Sequence, residues 1–162
     1  MDKSLNFLKQ YIKANDTVVC ATSGGSDSMV LLSLLIKLKG IIDFKIVCAH
    51  VNHSLREESI EEYEFVRGFC SDNNVIFEGT KFDNYNGNTE AEAHRKRYEY
   101  FDELIKKYNA SYLLTAHHGD DLIESILMKL TRGSSLDGYI GFDYTVEKEK
   151  YMILNLKKKM VS

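Results

Sequence analysis

Apolar and polar positions along the chain fall into short blocks whose period switches between about two and about 3.6 residues. Ser4 to Lys13 carries helical spacing, and Thr17 to Ala21 is an apolar run of strand length. Ser28 to Leu38 sets Met29, Leu32, Leu35 and Ile36 on one helical face, and Lys45 to Val51 reads as a second strand. The pattern then predicts a helix over Ser59 to Cys70, a strand over Val75 to Lys81 and a long helix over Thr89 to Tyr108. A buried strand over Tyr112 to Ala116 and a further helix over Asp121 to Leu130 follow, and the tail from Glu147 begins to look like another strand. Strands alternating with helices imply right-handed βαβ units, hence an α/β fold with a mainly parallel sheet flanked by helices. Such sheets take ligands at the carboxyl ends of their strands, and every unusual polar cluster falls at one of those ends. The sequence has no proline, which leaves glycine and asparagine to mark loops; Asn84 to Asn88 (NYNGN) is the clearest surface turn.

Composition narrows the class. A chain of 162 residues can bury roughly 70% of its unfolded surface in one core, so residues 1–162 read as a single domain. With 44% hydrophobic and 28% charged residues it is an ordinary globular sequence. No apolar run reaches the roughly 18 residues of a membrane span, and the polar start is no secretory signal, so a cytoplasmic location is expected. Cys20, Cys48 and Cys70 are widely spaced and form neither a metal knuckle nor a disulfide framework; each reads as a small buried apolar residue. A formal charge of −3 argues against strong nucleic-acid binding by this segment alone, because phosphate neutralisation supplies most of such affinity.

The first chemical signal is Ser23-Gly24-Gly25-Ser26-Asp27-Ser28, set where a strand hands over to a helix. Glycine there buries nothing, so its use requires a tight turn or a close approach. Consecutive backbone N–H groups and the positive helix end converge on one concavity, which suits a phosphate. Asp27 at the helix start either caps backbone donors or faces a divalent cation bound to that phosphate. A capped tight turn is the plainer alternative. Neither GxxxxGK[ST] nor GxGxxG is present, so no lysine aims at a γ-phosphate. A loop of this kind suggests pyrophosphate as the group cradled and released.

In this pattern the sequence resembles the PP-loop ATP pyrophosphatase superfamily, whose motif SGGxDS is matched by Ser23 to Ser28. Three more segments are similar to the tRNA(Ile)-lysidine synthetase family: Ala49-His50-Val51-Asn52-His53-Ser54-Leu55-Arg56, then Arg97-Tyr98 in EAEAHRKRYEYF, then Thr115 to Phe142, which opens TAHHGDDLIES. The resemblance implies an adenine nucleotide alpha-hydrolase-like fold. It also implies a ligase that adenylates the wobble cytidine of an isoleucine tRNA with ATP and Mg²⁺, then joins free L-lysine to it. Ser23, Gly24, Gly25, Ser26, Asp27, Ser28, His50 and His117 would bind the nucleotide, with Asp27 also the metal ligand. Asp27, Arg97, Asp121 and Glu124 would carry the reaction.

Several of these residues have plainer readings. His50 and His53 end a strand and could serve as loop or capping residues. Arg97 could pair with Glu90 or Glu103 on an exposed helix face. Adjacent His117 and His118 on an extended segment point to opposite sides and make poor joint metal ligands, so no zinc is expected. Asp121 and Glu124, spaced i, i+3 on the predicted helix, would share one face, where they either cap the helix or hold a cation. By resemblance that cation is the ammonium of lysine, and Asp120 is assigned no role.

Two departures stand out. His94 occupies a position where many family members carry a second arginine, and Arg95, rotated by about 100° along a helix, is no simple substitute. The chain is also expected to be a catalytic-domain fragment without the family's C-terminal tRNA-binding domains. Two other functions stay open: an ATP-binding PP-loop module without turnover, and a PP-loop tRNA thiolase, which would want paired cysteines. The oligomeric state, a homodimer included, is left open.

Overall fold

The computed structural model describes residues 2–52, 57–81, 90–118, 124–130 and 150–155. Its elements are α1 (Asp2–Lys9), β1 (Thr17–Ala21), α2 (Ser26–Lys39), β2 (Lys45–Asn52) and α3 (Glu57–Asp72), then β3 (Ile76–Lys81), α4 (Glu90–Tyr108), β4 (Tyr112–His118), β5 (Glu124–Leu130) and β6 (Lys150–Asn155). The strands form one sheet in the order β3-β2-β1-β4-β5-β6. β3, β2, β1 and β4 run parallel, and β5 and β6 add antiparallel at one side. The predicted mainly parallel α/β sheet is therefore found.

β1 is buried on both faces, as central parallel strands are, which is why its sequence TVVCA lacks polar alternation. One face carries Val18, Cys20, Ile46, Cys48 and Leu114 beneath α1, α2 and α3. There α2 contributes Leu31, Leu32, Leu34, Leu35 and Leu38, all fully buried, each adding roughly 1.5–3 kcal/mol of burial free energy. The other face carries Val19, Val47, Ala49 and Leu113 beneath Phe101 and Leu104 of α4.

Asparagine does mark the turns at the amino edge of the sheet. Asn15, Asn74 and Asn109 hold φ values of 69°, 54° and 50° just before β1, β3 and β4, a left-handed conformation that asparagine tolerates better than most residues. The turn read at Asn84 to Asn88 lies outside the described residues.

One predicted element is overturned. The helix expected over Asp121 to Leu130 is not formed, because Glu124–Leu130 is a strand that pairs in register with all seven residues of β4. A short block such as Ile126, Leu127 and Met128 fits a buried helix turn and a buried strand equally by periodicity. Pairing decides between them, since a strand here covers the open edge of β4. The shared helical face for Asp121 and Glu124 falls with the helix. Glu124 opens β5, and Asp121 lies outside the described residues.

The strand order reverses beside β1. The chain moves outward from β1 to β2 and β3, then returns through α4 to place β4 on the other side of β1. A crevice opens at the carboxyl ends where the connections diverge.

Candidate functional site

At that crevice lies a cleft of about 470 Å³. β1 and the residues after it supply Ala21, Thr22, Ser23 and Ser28; β2 supplies Ala49, His50, Val51 and Asn52. Glu62 comes from α3, Arg97, Tyr98 and Phe101 from α4, and Thr115 and Ala116 from β4. Small residues at Ala21, Ala49 and Ala116 leave the room.

The loop from β1 into α2 is held by its own serines. The Ser28 hydroxyl donates to the Gly25 carbonyl at 3.0 Å and accepts from the Ser23 N–H at 3.2 Å. The Gly25 N–H donates to Ser23 Oγ at 3.2 Å, and Ser23 Oγ lies 3.2 Å from Ser28 Oγ. Gly25 is the residue before the helix, in extended conformation, and its carbonyl accepts from the Met29 N–H at 3.1 Å. The amides of Gly24 and Ser26 have no hydrogen-bond partner among the described residues. Gly24 has a φ of +92°, a conformation that costs other residues of order 1–3 kcal/mol. The outcome is a turn with free N–H donors at the positive end of a 14-residue helix, which is an anion site in physical terms.

His50 is a loop brace as well as a lining residue. Its Nδ1 lies 2.7 Å from the Thr22 carbonyl oxygen, and Thr22 N–H donates to the Ala49 carbonyl at 2.9 Å. A carbonyl accepts, so Nδ1 carries the proton and Nε2 keeps its lone pair in the neutral ring. Burial pushes the His50 pKa down, against the upward pull of the Thr22 carbonyl and the Glu62 carboxylate. The ring sits between Tyr63, edge-on with centroids 5.6 Å apart, and Phe77, stacked at 6.4 Å. Gly79 makes that cage possible, because a Cβ there would come within 2.5 Å of the Tyr63 ring.

Three lining residues carry buried polar atoms without a partner: Asn52 at both Nδ2 and Oδ1, Arg97 at Nε, and Thr115 at Oγ1. The ion pairing expected of Arg97 belongs instead to exposed Arg95, 3.6 Å from Glu92 and 3.3 Å from Glu99. Buried groups left unpaired cost free energy, and clefts that bind polar ligands are where such groups persist.

The structure therefore brings Ser23, Ser28, His50 and Arg97 to one cleft, with Gly24, Gly25 and Ser26 in the loop at its rim. Asp27 is the second residue of α2, His117 lies near the carboxyl end of β4, and Glu124 opens β5. The side chains of these three lie outside the described ones. Asn52, Thr115 and Glu62 were not singled out from sequence. Asn52 was within reach, since strand alternation from His50 puts it on the same face at the strand's end.

Among the described residues no group of three or more His, Cys, Asp or Glu side chains comes together. The three cysteines are buried in the α2–α3 core and none lines the cleft. Burial pushes the Cys20 thiol up to about 12. A hydrogen bond with Cys70, reinforced by burial, raises Cys48 as well. No helix among the described residues is long and apolar enough to cross a membrane.

A parallel sheet reversing beside a glycine turn, with unpaired donors facing a polar cleft, defines an α/β domain built to hold an anionic ligand at its strand ends. The chain matches the family model described as the PP-loop domain over residues 1–158, and it belongs to that family. It is 38% identical over 150 residues to the tRNA(Ile)-lysidine synthase of Bacillus cereus, covering 87% of this chain and 32% of that protein. Against the enzyme of the same name from Staphylococcus aureus it is 38% identical over 144 residues, 86% of this chain and 33% of the relative. For Geobacillus kaustophilus the figures are 39% over 139 residues, 82% and 30%. The chain thus spans about a third of the length of these relatives. Among solved structures, the U34-tRNA thiolase NcsA from Methanococcus maripaludis with its 4Fe–4S cluster shares the fold. Its TM-score is 0.57 at 19% identity, covering 65% of this chain and 39% of that one.

Proposed function

We propose that the cleft binds ATP with its phosphates on the Ser23 to Ser28 loop, and that the domain serves the ligation of lysine to the wobble cytidine of an isoleucine tRNA. The observation that carries the reading is the coincidence of free loop donors and unpaired Asn52, Arg97 and Thr115 atoms in one cleft. Likeness to tRNA(Ile)-lysidine synthases over most of this chain supplies the choice of reaction.

In this reading the cytidine O2 attacks the α-phosphate, the bond to the β-phosphate breaks, and pyrophosphate leaves on the loop. The ε-amine of lysine then attacks cytidine C2, loses a proton and displaces AMP. Arg97 offsets negative charge near the reacting phosphate. Mg²⁺ is held chiefly by phosphate oxygens and one or two carboxylates, and Asp27, at the helix end beside the loop, is the residue assigned to it. It neutralises the leaving pyrophosphate. Asp121 and Glu124 hold and deprotonate the lysine amine, His117 contributes to the nucleotide site, and the chemistry is one of positioning and charge.

A thiolase reading has less support, because cysteines that assemble an iron–sulfur cluster or carry sulfur must reach the substrate, and Cys20, Cys48 and Cys70 are core residues. The test is product identity. With ATP, labelled lysine and an isoleucine tRNA bearing a cytidine wobble base, AMP and pyrophosphate should appear with label in the tRNA, all three dependent on lysine. ADP as product, or sulfur transfer in place of lysine, contradicts the proposal.

A further inference from the structure

Asn52 is the last residue of β2 and is 2% exposed, yet neither end of its carboxamide has a hydrogen-bond partner among the described residues. Burying an amide with both ends unpaired destabilises a fold, so the group belongs to something that arrives later. It lines the same cleft as Ser23 and Ser28.

The two orphaned atoms restrict what arrives. Nδ2 donates and Oδ1 accepts, and both are to be satisfied. Phosphate oxygens only accept, so they leave Oδ1 unpaired. An ammonium only donates, so it leaves Nδ2 unpaired. A group with a donor and an acceptor side by side meets both, as the amino N–H and adjoining ring nitrogen of adenine do. Position agrees with this chemistry. His50 touches Thr22 at the start of the phosphate loop, and Asn52 lies two residues farther along the strand, roughly 6.6 Å on. That offset separates a base from the phosphates of the same nucleotide. Tyr98 and Phe101 offer aromatic surface in the same cleft.

Resting on the reading of the cleft as an ATP site, we infer that the Asn52 carboxamide is the residue that reads the adenine base, pairing with its amino group and the neighbouring ring nitrogen. Asn52 thereby sets nucleotide preference while the loop sets phosphate affinity.

The experiment compares the unaltered chain with Asn52→Leu and Asn52→Asp. Binding of Mg²⁺–ATP, inorganic triphosphate, purine riboside triphosphate (which lacks the amino group) and 2′,3′-dideoxy-ATP is measured by calorimetry, and melting temperatures are taken without ligand. The unaltered chain should prefer ATP to purine riboside triphosphate by about tenfold. Asn52→Leu should erase that preference and leave triphosphate affinity unchanged. It should also raise the melting temperature by about 2–4 °C, because an unpaired amide has been replaced by an apolar group of similar size. Asn52→Asp, which loses the donor, should lose ATP affinity as well. A lowered melting temperature with equal loss of ATP and triphosphate makes Asn52 a structural brace and overturns the inference. So does preference for ATP surviving in Asn52→Leu, or a preference that tracks the ribose hydroxyls rather than the amino group. If the unaltered chain binds neither ATP nor triphosphate, the ATP reading fails and takes the inference with it. Binding of ATP that ignores Asn52 sinks the inference alone.

Discussion

Nδ1 of His50 lies 2.7 Å from the backbone oxygen of Thr22, which ties the carboxyl end of β2 to the residue from which the glycine turn departs. The loop is thus fixed from its own strand by serine contacts and from the neighbouring strand by an imidazole. His50→Asn keeps an N–H donor near Nδ1 and should hold ATP affinity within about threefold. His50→Phe removes the donor, and the loss of one buried hydrogen bond, about 0.5–1.5 kcal/mol, should weaken ATP binding by roughly three- to tenfold. Calorimetry on both variants checks this; equal affinity in His50→Phe and the unaltered chain would contradict the brace.

The same residue gives the fold a dependence on pH. Burial lowers the His50 pKa below its ordinary 6.5, so on acidification the unfolded chain takes up this proton first. Stability from the neutral ring is complete above about pH 6.5 and is lost as pH falls through the lower folded value. Urea unfolding at pH 7.5, 6 and 5 should show the stability advantage of the unaltered chain over His50→Asn shrinking with acid. A constant advantage across that range contradicts the assignment.

Gly79 is fixed by a neighbour. A methyl group there meets the Tyr63 ring at 2.5 Å, and Tyr63 packs on both His50 and Phe77. Gly79→Ala should destabilise by about 1–3 kcal/mol, the usual cost of overpacking. In a Tyr63→Leu background the penalty should shrink, since the two positions share one contact. Denaturant melts of the four proteins in that cycle measure it.

Fold and site were legible to different depths. β1 was read at its observed ends because a run buried on both faces is bounded by polar residues on each side. The phosphate loop was legible because glycine and serine between a strand and a helix have few other uses. Residues 124–130 were misread because an isolated apolar block does not say what it pairs with, and β4 supplied the answer. The burial of the Arg97 Nε was hidden for a similar reason. Periodicity gives α4 a polar face, but the cleft formed by β1, β2 and β4 is a property of strand order. Asn52 looked like one more polar residue at a strand end until its lack of partners could be seen.

The cysteines offer a check independent of nucleotide. Cys20, Cys48 and Cys70 are fully buried, and burial holds Cys20 far above the range in which a thiol ionises at neutral pH. A maleimide added to the folded protein should leave all three unlabelled over a period in which the urea-unfolded chain labels completely. Rapid labelling in the native state would revive a cysteine-based chemistry.

The most direct test of the account is calorimetric titration of the chain with Mg²⁺–ATP beside the same titration of Asp27→Ala. If the turn after β1 is a phosphate cradle with Asp27 as the anionic partner of magnesium, the unaltered chain binds and the variant binds at least about tenfold more weakly, a loss of roughly 1.4 kcal/mol. The difference should fall away when magnesium is replaced by EDTA. Identical affinities for the two proteins in the presence of magnesium would contradict the account at its centre.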